Sequence, residues 1–365
     1  MTYFEKSFVI FTDMAKNNVF AIGVMSGTSL DGVDLVYVSF NIDNYIDFKI
    51  IHAATIKYSK EWKNLLQNAI HSSKKELNNL DVVYGRYLGN MIRQFMVNYK
   101  IDIIDFIASH GHTILHQPEK GITLQIGAGE EISKITKQKV VCDFRTQDVE
   151  LGGQGAPLVP IGDALLFSEY DFCLNLGGFS NISYQKETIR IAFDICPVNI
   201  VLNFYVNKLG FEYDDYGEIA SKGAINHKLL EKLNSLKYYQ KSPPKSLGLE
   251  WVQTEIFPLI DEVEKDVPTI LRTFIEHIAF QIGKVIHQNN AVLITGGGVF
   301  NTFLLNRIQL YAENLIKLPS KELIDFKEAL LFSFLGLLKI NNQINCLKSV
   351  TGACKNHSSG VVFYP

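Results

Sequence analysis

The chain has 365 residues, 47% of them hydrophobic and 20% charged, with a formal net charge of −3 at pH 7. This length exceeds the size at which one hydrophobic core usually stops growing, so two domains are expected. The nearly balanced charge excludes a general attraction to nucleic acid or to an anionic membrane, and it favours a small-molecule partner.

Cysteine spacing and apolar runs indicate the compartment. The five cysteines are scattered without a Cys-x-x-Cys pair, which argues against a disulfide framework and against a thiolate zinc site. No apolar run is long enough for a signal peptide or a membrane span. We therefore expect a cytoplasmic protein. We expect its natural start at Met14, shortly before the first strong strand.

The first half of the chain begins with strands and continues with helices and a further strand. Two β-rich runs between residues 19 and 40 flank a glycine-containing segment, which predicts a β-hairpin with a polar tip at 27–32. The next predicted elements are a strand at 45–57, helices at 62–70 and 81–99, and a buried strand at 101–109. That last strand is expected to end at the turn His110-Gly111-His112-Thr113.

The second half repeats this order. A strand at 172–176 enters Gly177-Gly178, strands follow at 182–185 and 188–193, helices at 198–209 and 269–288, and a strand at 291–295 enters Gly296-Gly297-Gly298. The halves are either diverged copies of one unit or similar by coincidence. We expect an N-terminal domain at 1–135 and a C-terminal domain at 136–344, with residues 345–365 packing back on the first.

The segment at 27–32 has the composition of a phosphate-binding turn. Glycine permits positive φ angles and close approach, so that backbone N–H groups can surround phosphate oxygens. It is not a Walker loop, because Val and Asp follow Gly32 instead of Lys and Ser or Thr. A carboxylate beside bound phosphates would hold Mg²⁺, often through water. The alternative is an ordinary hairpin closed by Asp-Gly. The polar side chains offered here are Thr28, Ser29, Asp31 and Asp34.

Two further glycine clusters follow apolar strands, at 177–178 and 296–298. Together with the turn in the first half, they indicate a nucleotide contacted by both halves. A third cluster, Gly127-Ala128-Gly129, lacks the last glycine of a dinucleotide fingerprint because position 132 is Ile. A Rossmann fold therefore has little support.

The histidines after the strand at 101–109 allow three interpretations. His110 and His112, with His116, have the spacing of a zinc site at a strand end, but the remaining ligands of such a site are missing. Alternatively, His110 and Thr113 offer hydrogen bonds to a polar ligand. The third interpretation is local bonding within the turn.

Two charged residues are further site candidates, and the first of them, Asp194, closes a predicted strand. Asp194 precedes Pro197, which suits the first turn of a helix, so Asp194 is either a general base facing a ligand or a helix cap. Arg145 is suited to bidentate pairing with a substrate carboxylate. Its alternative partners are Asp143 and Asp148 in the same segment.

The motifs quoted above resemble those of the anhydro-N-acetylmuramic acid kinase family, within the actin-like sugar kinases, over nearly the whole chain. Their number and their shared order make the resemblance specific. The blocks that carry it are GVMSGTSLDGVD at 23–34, SHGHT at 109–113, DFR at 143–145, GGQGAPLVP at 152–160, LGGFSNI at 176–182, PPKS at 243–246 and TGGG at 295–298.

The resemblance implies an α/β fold of the two-domain, actin-like ATPase type, with the RNase H-like unit duplicated and ATP in the interdomain cleft. It also implies that ATP, water and 1,6-anhydro-N-acetylmuramic acid yield ADP and N-acetylmuramic acid 6-phosphate, in cytoplasmic peptidoglycan recycling. The partners implied are ATP with Mg²⁺, an amino sugar and a second copy of the chain.

The resemblance also implies a role for each candidate site residue. Asp194 would deprotonate the water that attacks C1 of the sugar, and Asp31 would lie near Mg²⁺. Arg145 would meet the lactyl carboxylate, His110 and Thr113 the hydroxyl or acetamido groups, and Glu328 would also belong to the sugar site. The nucleotide site would comprise Gly27, Thr28, Ser29, Leu30, Asp31, Gly32, Val33, Asp34, Gly178, Asn181, Gly296 and Gly297.

Two departures from the family pattern concern substrate positioning. Relatives usually carry Thr-Gly-Pro where this chain has Ile195-Cys196-Pro197, and Thr-Gly-Arg-Glu where it has LGLE at 247–250. The alternatives are therefore a kinase for a related anhydrosugar or a non-enzymatic sugar sensor on the same fold. The absence of an appended helix-turn-helix or basic segment argues against the sensor.

Overall fold

The computed structural model describes residues 17–27, 30–286, 290–312 and 315–365. The expectations for Met14, Thr28 and Ser29 concern positions that lie outside these residues. Contacts divide the chain into two units. The first holds the chain up to Phe167 together with Phe326–Pro365, and the second is Ser168–Asp325.

Strands in the described residues are numbered in chain order. They are β1 (Asn18–Ser26), β2 (Gly32–Asn41), β3 (Phe48–Lys57), β4 (Phe106–Gln117), β5 (Ile122–Ile126), β6 (Val140–Cys142), β7 (Phe172–Leu176), β8 (Phe179–Lys186), β9 (Ile189–Pro197), β10 (Ala291–Thr295), β11 (Leu315–Lys317) and β12 (Val361–Phe363).

Helices are numbered in the same way. The α-helices are α1 (Lys60–Asn68), α2 (Lys74–Asn98), α3 (Gly129–Thr136), α4 (Thr146–Glu150), α5 (Pro160–Leu166), α6 (Asn199–Val206), α7 (Glu218–Lys222), α8 (His227–Asn234), α9 (Leu249–Trp251), α10 (Phe257–Val263), α11 (Val267–Gly283), α12 (Thr302–Ala312), α13 (Lys321–Ile340) and α14 (Lys348–Thr351). A π-helical turn covers Val252–Ile256. Short 3₁₀ turns cover Ala69–His71, Pro118–Lys120, Asn207–Leu209, Asp215–Gly217, Lys237–Gln240 and Gly297–Phe300. Within the described ranges, no helix has the length and apolar character needed to cross a membrane.

The sheet of the first unit combines antiparallel and parallel neighbours. Its strand order is β12-β6-β4-β1-β2-β3, and β5 pairs with β4. Pairs β1–β2 and β2–β3 are antiparallel, whereas β4 runs parallel to both β1 and β6. The hairpin predicted between residues 19 and 40 is thereby confirmed.

The sheet of the second unit repeats this topology. Its order is β11-β10-β7-β8-β9, with β7–β8 and β8–β9 antiparallel and with β10 parallel to both β7 and β11. Each unit therefore has three consecutive antiparallel strands. Two later strands extend the sheet on the side of the first strand and run parallel to it. This is the RNase H-like arrangement, present twice, and the predicted actin-like α/β fold class is confirmed.

The division between the units differs from the expected boundaries at 135/136 and 344/345. It falls after Phe167 and before Phe326, because β6 pairs with β4 and with β12 in the first sheet. Most of helix α13 also belongs to the first unit.

Two elements of the first unit differ from their predicted bounds. Helix α2 begins well before residue 81, because Ser73 and Glu76 form a capping box at its start. Strand β4 begins at Phe106 and continues through His110 to Gln117, so residues 110–113 are not the terminal turn expected. Within this strand, Gly111 has a φ of 71°, and a Cβ there would lie 2.5 Å from the Ile126 carbonyl oxygen.

Helix α13 packs closely on the first sheet at two glycines. A Cβ at Gly23 of β1 would overlap the carbonyl oxygen of Ala329, and one at Gly336 would lie 2.7 Å from the Ala108 Cβ. The absent side chains therefore allow the helix backbone to approach β1 and β4 directly.

Replacing Gly23 by Ala is expected to destabilise the protein by about 3 kcal/mol, at the upper end for overpacking. The physical reason is that the carbonyl of Ala329 is part of a helix backbone and has no free rotation. Urea unfolding followed by circular dichroism measures the change. Gly121→Ala is the control, because φ there is 69° and no atom lies within 4 Å, so that only about 1 kcal/mol of backbone strain is expected. Equal losses for the two variants would contradict the packing argument.

Candidate active site

The first glycine turn joins β1 to β2. Leu30 N donates to the Gly27 carbonyl at 3.4 Å, and Leu30 has a φ of 60°. A Cβ at Gly32 would lie 2.6 Å from the Ile56 carbonyl oxygen, so the neighbouring strand already requires this glycine. Val33 is fully buried, whereas Asp31 is exposed to solvent. Asp31 is therefore the carboxylate of this turn that is open to a ligand.

Asp34 is anchored across the sheet. Its Oδ1 accepts a hydrogen bond of 2.6 Å from Thr55 Oγ1 on β3. Desolvation raises the pKa of Glu328 on α13, and the charge of Asp34 adds to that rise.

A buried hydroxyl network lies at the end of β1, and sequence analysis did not identify it. Ser26 Oγ lies 2.6 Å from Tyr58 OH and 2.9 Å from His112 Nδ1, and it accepts a hydrogen bond of 2.8 Å from Tyr84 OH. The two tyrosine hydroxyls are 2.5 Å apart. Because Ser26 directly precedes Gly27, this network supports the start of the glycine turn.

His110 and Arg145 form one hydrogen-bonded unit. Arg145 Nε donates to His110 Nε2 at 2.9 Å, and Arg145 Nη1 donates to the Gly155 carbonyl at 2.6 Å. His110 Nδ1 lies 2.9 Å from the Gly111 carbonyl, so the neutral tautomer with its proton on Nδ1 satisfies both nitrogens. Burial, and next the charge of Arg145, hold the pKa of His110 well below its usual range.

Arg145 keeps its charge at neutral pH. Burial lowers its pKa to about 10, and the carboxylate of Glu328 opposes that change. Its Nη2 makes no hydrogen bond to any residue in the described ranges. The alternative pairing of Arg145 with Asp143 or Asp148 is likewise not formed as an ion pair there. Two hydrogen bonds thus fix the guanidinium of Arg145, and its Nη2 remains available to a ligand.

Glu328 and Thr113 occupy the same unit. The side chain of Glu328 reaches solvent, yet the surrounding chain desolvates its carboxyl and raises the pKa, with Arg145 acting in the opposite direction. Thr113 on β4 is half-buried, and its Oγ1 accepts a hydrogen bond of 3.4 Å from Gln125 Nε2.

The zinc interpretation of the histidines on β4 does not fit their contacts. His110 Nε2 accepts from Arg145, and His112 Nδ1 bonds Ser26. Across the described ranges, neither residue belongs to a group of three side chains spaced for a metal ion.

The glycines of the second unit fall into two kinds. Gly296 has a φ of 87°, and a Cβ on Gly298 would lie 2.8 Å from that of Leu176, so both have structural reasons to be glycine. Gly178 and Gly297 are exposed, and an added Cβ would meet atoms no closer than 3.9 and 3.8 Å respectively. These two positions therefore have backbone open to a ligand.

Two asparagines that sequence analysis did not identify as site residues support these turns. Asn199, at the start of α6, donates through Nδ2 to the Leu176 carbonyl at 3.4 Å. The side chain of Asn175 fills the space beside Gly296. Asn199 stands two residues after Pro197, in the segment where the sequence already predicts the first turn of a helix, so its place near this site could have been found.

Strand register places a polar row across the second sheet. Asn175 on β7 faces Asn181 on β8, and Asn181 faces Asp194 on β9. Directly opposed residues in antiparallel strands share a face of the sheet. Asn181 and Asp194 are therefore neighbours, which could not be predicted from the sequence alone.

Asp194 does not cap α6, whose N-cap is Val198. Its Oδ2 accepts a hydrogen bond of 2.8 Å from Leu247 N, and its own N–H donates to the Lys245 carbonyl. Tyr238 OH donates to the Asp194 carbonyl at 2.6 Å. Oδ1 accepts no hydrogen bond from the described part of the chain. Burial raises the pKa of this carboxyl, and the Leu247 amide partly offsets that effect.

The model of the family described as "Anhydro-N-acetylmuramic acid kinase" matches residues 19–365. The chain belongs to the anhydro-N-acetylmuramic acid kinase family. It is 30% identical to the kinase of that name from Sulfurimonas denitrificans, with 94% of this chain and 99% of that protein covered. The match to the protein of the same name from Zymomonas mobilis is 31%, with the same coverage. A xylulose kinase from Lactobacillus acidophilus gives a TM-score of 0.44 at 12% identity, covering 87% of this chain and 89% of that one.

Both residues of the first departure from the anhydro-N-acetylmuramic acid kinase pattern are buried. Ile195 is 2% exposed and Cys196 is fully buried within the core of the second unit. Cys196 Sγ lies 3.3 Å from Ser180 Oγ on the neighbouring strand. In the second departure, the Leu247 amide still binds Asp194. The contact that holds the carboxylate is thus made by the backbone.

Replacing Tyr84 by Phe is expected to destabilise the protein by about 1–3 kcal/mol, because it removes the two buried hydrogen bonds that the Tyr84 hydroxyl makes to Ser26 Oγ and Tyr58 OH. Tyr87→Phe is the matched control. Tyr87 stacks on Trp62 at 4.2 Å between ring centroids, and its hydroxyl makes no hydrogen bond within the described ranges. We expect a change within about 0.5 kcal/mol for the control. Urea unfolding compares the two, and equal stability of both variants would rule out a structural role for the hydroxyl network.

Proposed function

We propose that this protein is the ATP-dependent kinase that converts 1,6-anhydro-N-acetylmuramic acid and water to N-acetylmuramic acid 6-phosphate, with release of ADP, in peptidoglycan recycling. The observation that carries the proposal is the environment of the Asp194 carboxylate. This carboxylate is desolvated, with one oxygen held by Leu247 N and the other without a hydrogen bond from the described chain. Family membership supplies the substrate expected.

The proposed reaction needs a base as well as a phosphate site. In the anhydrosugar, O6 is bonded to C1, so no free 6-hydroxyl exists to attack ATP. Water attacks C1 and loses a proton to Asp194, the C1–O6 bond breaks, and O6 forms a bond to the γ-phosphorus. The bond from that phosphorus to ADP then breaks, which balances the reaction.

The environment of Asp194 suits this role. Burial raises its pKa, which makes the carboxylate a stronger base than a solvent-exposed Asp. The hydrogen bond to Leu247 N fixes one oxygen, so that the other has a defined direction. A general base in such a position typically contributes about 10²–10⁴ in rate.

In the first unit, we assign Arg145 to the lactyl carboxylate of the sugar, through the Nη2 that lacks a partner in the described chain. Both nitrogens of His110 are already used, so we revise its proposed role from direct contact to positioning of Arg145. Thr113 remains the proposed contact of the hydroxyl or acetamido groups, and Glu328 remains a proposed residue of the sugar site.

The proposed nucleotide residues divide between the units. In the first, the turn that includes Gly27, Leu30 and Asp31 and the strand residues that follow it would hold phosphates. The exposed carboxylate of Asp31 fits the preference of Mg²⁺ for oxygen ligands. A bound Mg²⁺ would neutralise charge on the phosphates. In the second unit, Gly178 and Gly297 offer exposed backbone. We assign Asn181 and Gly296 to the same nucleotide site.

The activity itself is tested with Mg-ATP and the anhydrosugar in water enriched in heavy oxygen. We expect equal amounts of ADP and phosphorylated sugar, and at early times the heavy oxygen on C1 of the sugar and none in the phosphate group. Mass spectrometry of the product measures both the amount of phosphorylated sugar and the position of the heavy oxygen. Sugar binding without ADP release would instead support the sensor, and phosphorylation of another anhydrosugar alone would correct the substrate.

Replacing Asp194 by Asn is expected to lower kcat by about 10²–10⁴ while leaving ATP affinity nearly unchanged, because the amide lacks a basic oxygen. Steady-state kinetics and nucleotide titration measure the two effects. Asp215→Asn is the control, because it makes the same charge change at an exposed site in the same unit. Wild-type turnover by the Asp194 variant would remove the assigned role.

A further inference from the structure

Three potential metal ligands meet inside the first unit, apart from every residue assigned above. They are Asp148 on α4 and, near the C-terminus, Cys346 and His357. Each is buried, with an exposure of 5% or less. One ligand atom from each lies within 4.8 Å of the others.

The backbone brings Cys346 and His357 together. Cys346 N donates to the His357 carbonyl at 3.1 Å, and His357 N donates back to the Cys346 carbonyl at 3.2 Å. This reciprocal pair forms an antiparallel bridge, in which opposed side chains lie on one side. The thiol and the imidazole therefore face Asp148 from a defined position.

The two oxygens of Asp148 have different surroundings. Oδ2 accepts the Gly155 N–H at 2.7 Å. Oδ1 accepts hydrogen bonds from Cys346 Sγ at 3.0 Å and from Thr351 Oγ1 at 2.7 Å. The same Oδ1 lies 3.5 Å from His357 Nε2.

The hydrogen bonding of the His357 ring nitrogens indicates a positive charge between His357 and Asp148. Its Nδ1 lies 3.2 Å from the Lys355 carbonyl, a contact that places the proton on Nδ1 in the neutral ring. Nε2 then carries a lone pair, is buried, and makes no hydrogen bond in the described chain. A lone pair facing a carboxylate oxygen is unfavourable, so a positive charge is needed between Nε2 and the Asp148 oxygen, and it is supplied either by a proton in an ion pair or by a bound metal ion. Metal-binding histidines typically donate their other N–H to a carbonyl in this way.

Two of the three ligand-atom separations are close to those around a zinc ion. Zinc bonds of about 2.0–2.3 Å in tetrahedral geometry put ligand atoms roughly 3.4–3.6 Å apart. The Asp148–His357 separation is 3.5 Å and the Asp148–Cys346 separation is 3.0 Å, which are within about half an ångström of these values. The Cys346 sulfur and the His357 ligand atom lie within 4.8 Å of each other, so this pair is near enough for one ion after a small rearrangement. The set of carboxylate, thiolate and imidazole is one that Zn²⁺ accepts.

We propose that Asp148, Cys346 and His357 bind a zinc ion that ties the C-terminal segment to helix α4. A solvent ligand would complete the coordination, as in other three-ligand zinc sites. The site reaches the proposed sugar residues through one loop residue. Gly155 donates its N–H to Asp148, and its carbonyl accepts from Arg145. The ion would therefore stabilise the support of Arg145 without contacting substrate.

The test uses the full chain, saturated with zinc, dialysed against metal-free buffer and analysed by elemental mass spectrometry. We expect one zinc per chain in the wild type and at least a tenfold lower content in Cys346→Ser and His357→Gln. Cys354→Ser, which removes an exposed thiol, is the matched control and should retain zinc. Circular dichroism checks that each variant is folded.

Cobalt(II) titration of the wild type gives a second measurement that does not depend on the variants folding. Coordination by Cys346 predicts a near-ultraviolet charge-transfer band from thiolate to cobalt, absent in Cys346→Ser. Lack of zinc and of this band in the wild type would overturn the proposal in favour of a hydrogen-bonded triad. Equal zinc in all variants would also overturn it, because the metal would then bind elsewhere. Neither outcome bears on kinase activity.

Discussion

The close contact between β1 and helix α13 governs the geometry of the first unit. Because Gly23 has no side chain, the Ala329 carbonyl lies directly on the strand. Strand β1 continues to Ser26 and the glycine turn, and Glu328 precedes Ala329 in the helix, so one contact sets the position of both. A buried ion pair between Lys327 and Asp163, at 2.8 Å, ties the same helix to α5. Such pairs contribute more to orientation than to net stability.

Burial sets the protonation states of the candidate site in opposite directions. It holds the pKa of His110 well below its usual range, so the ring stays neutral and accepts from Arg145. Desolvation by the surrounding chain raises the pKa of the solvent-reaching Glu328, and burial raises that of Asp194. The charge of Arg145 opposes the first change, and the Leu247 amide opposes the second. A neutral histidine that accepts a hydrogen bond from a charged arginine holds that arginine in position. A desolvated carboxylate with an available oxygen can instead act as a base.

Much of this could be predicted from local patterns. The hairpins and the strand at Ala291–Thr295 follow from alternating apolar runs that end at glycines, and these signals are contained in a few adjacent residues. The start of α2 could also have been found, because Ser73 and Glu76 have capping-box spacing. The path of β4 through His110 could not, since it depends on pairing with β5.

The sequence by itself determined the family, the duplicated order of elements and the candidate residues, because glycine turns and strand patterns are local and occur in a fixed order. The tertiary structure decided which candidates have partners. It placed His110 behind Arg145, put Asn181 beside Asp194 through strand register, and brought Cys346 and His357 to Asp148. The physical reason is that these contacts join residues far apart in the chain, and packing rather than local spacing sets their distances.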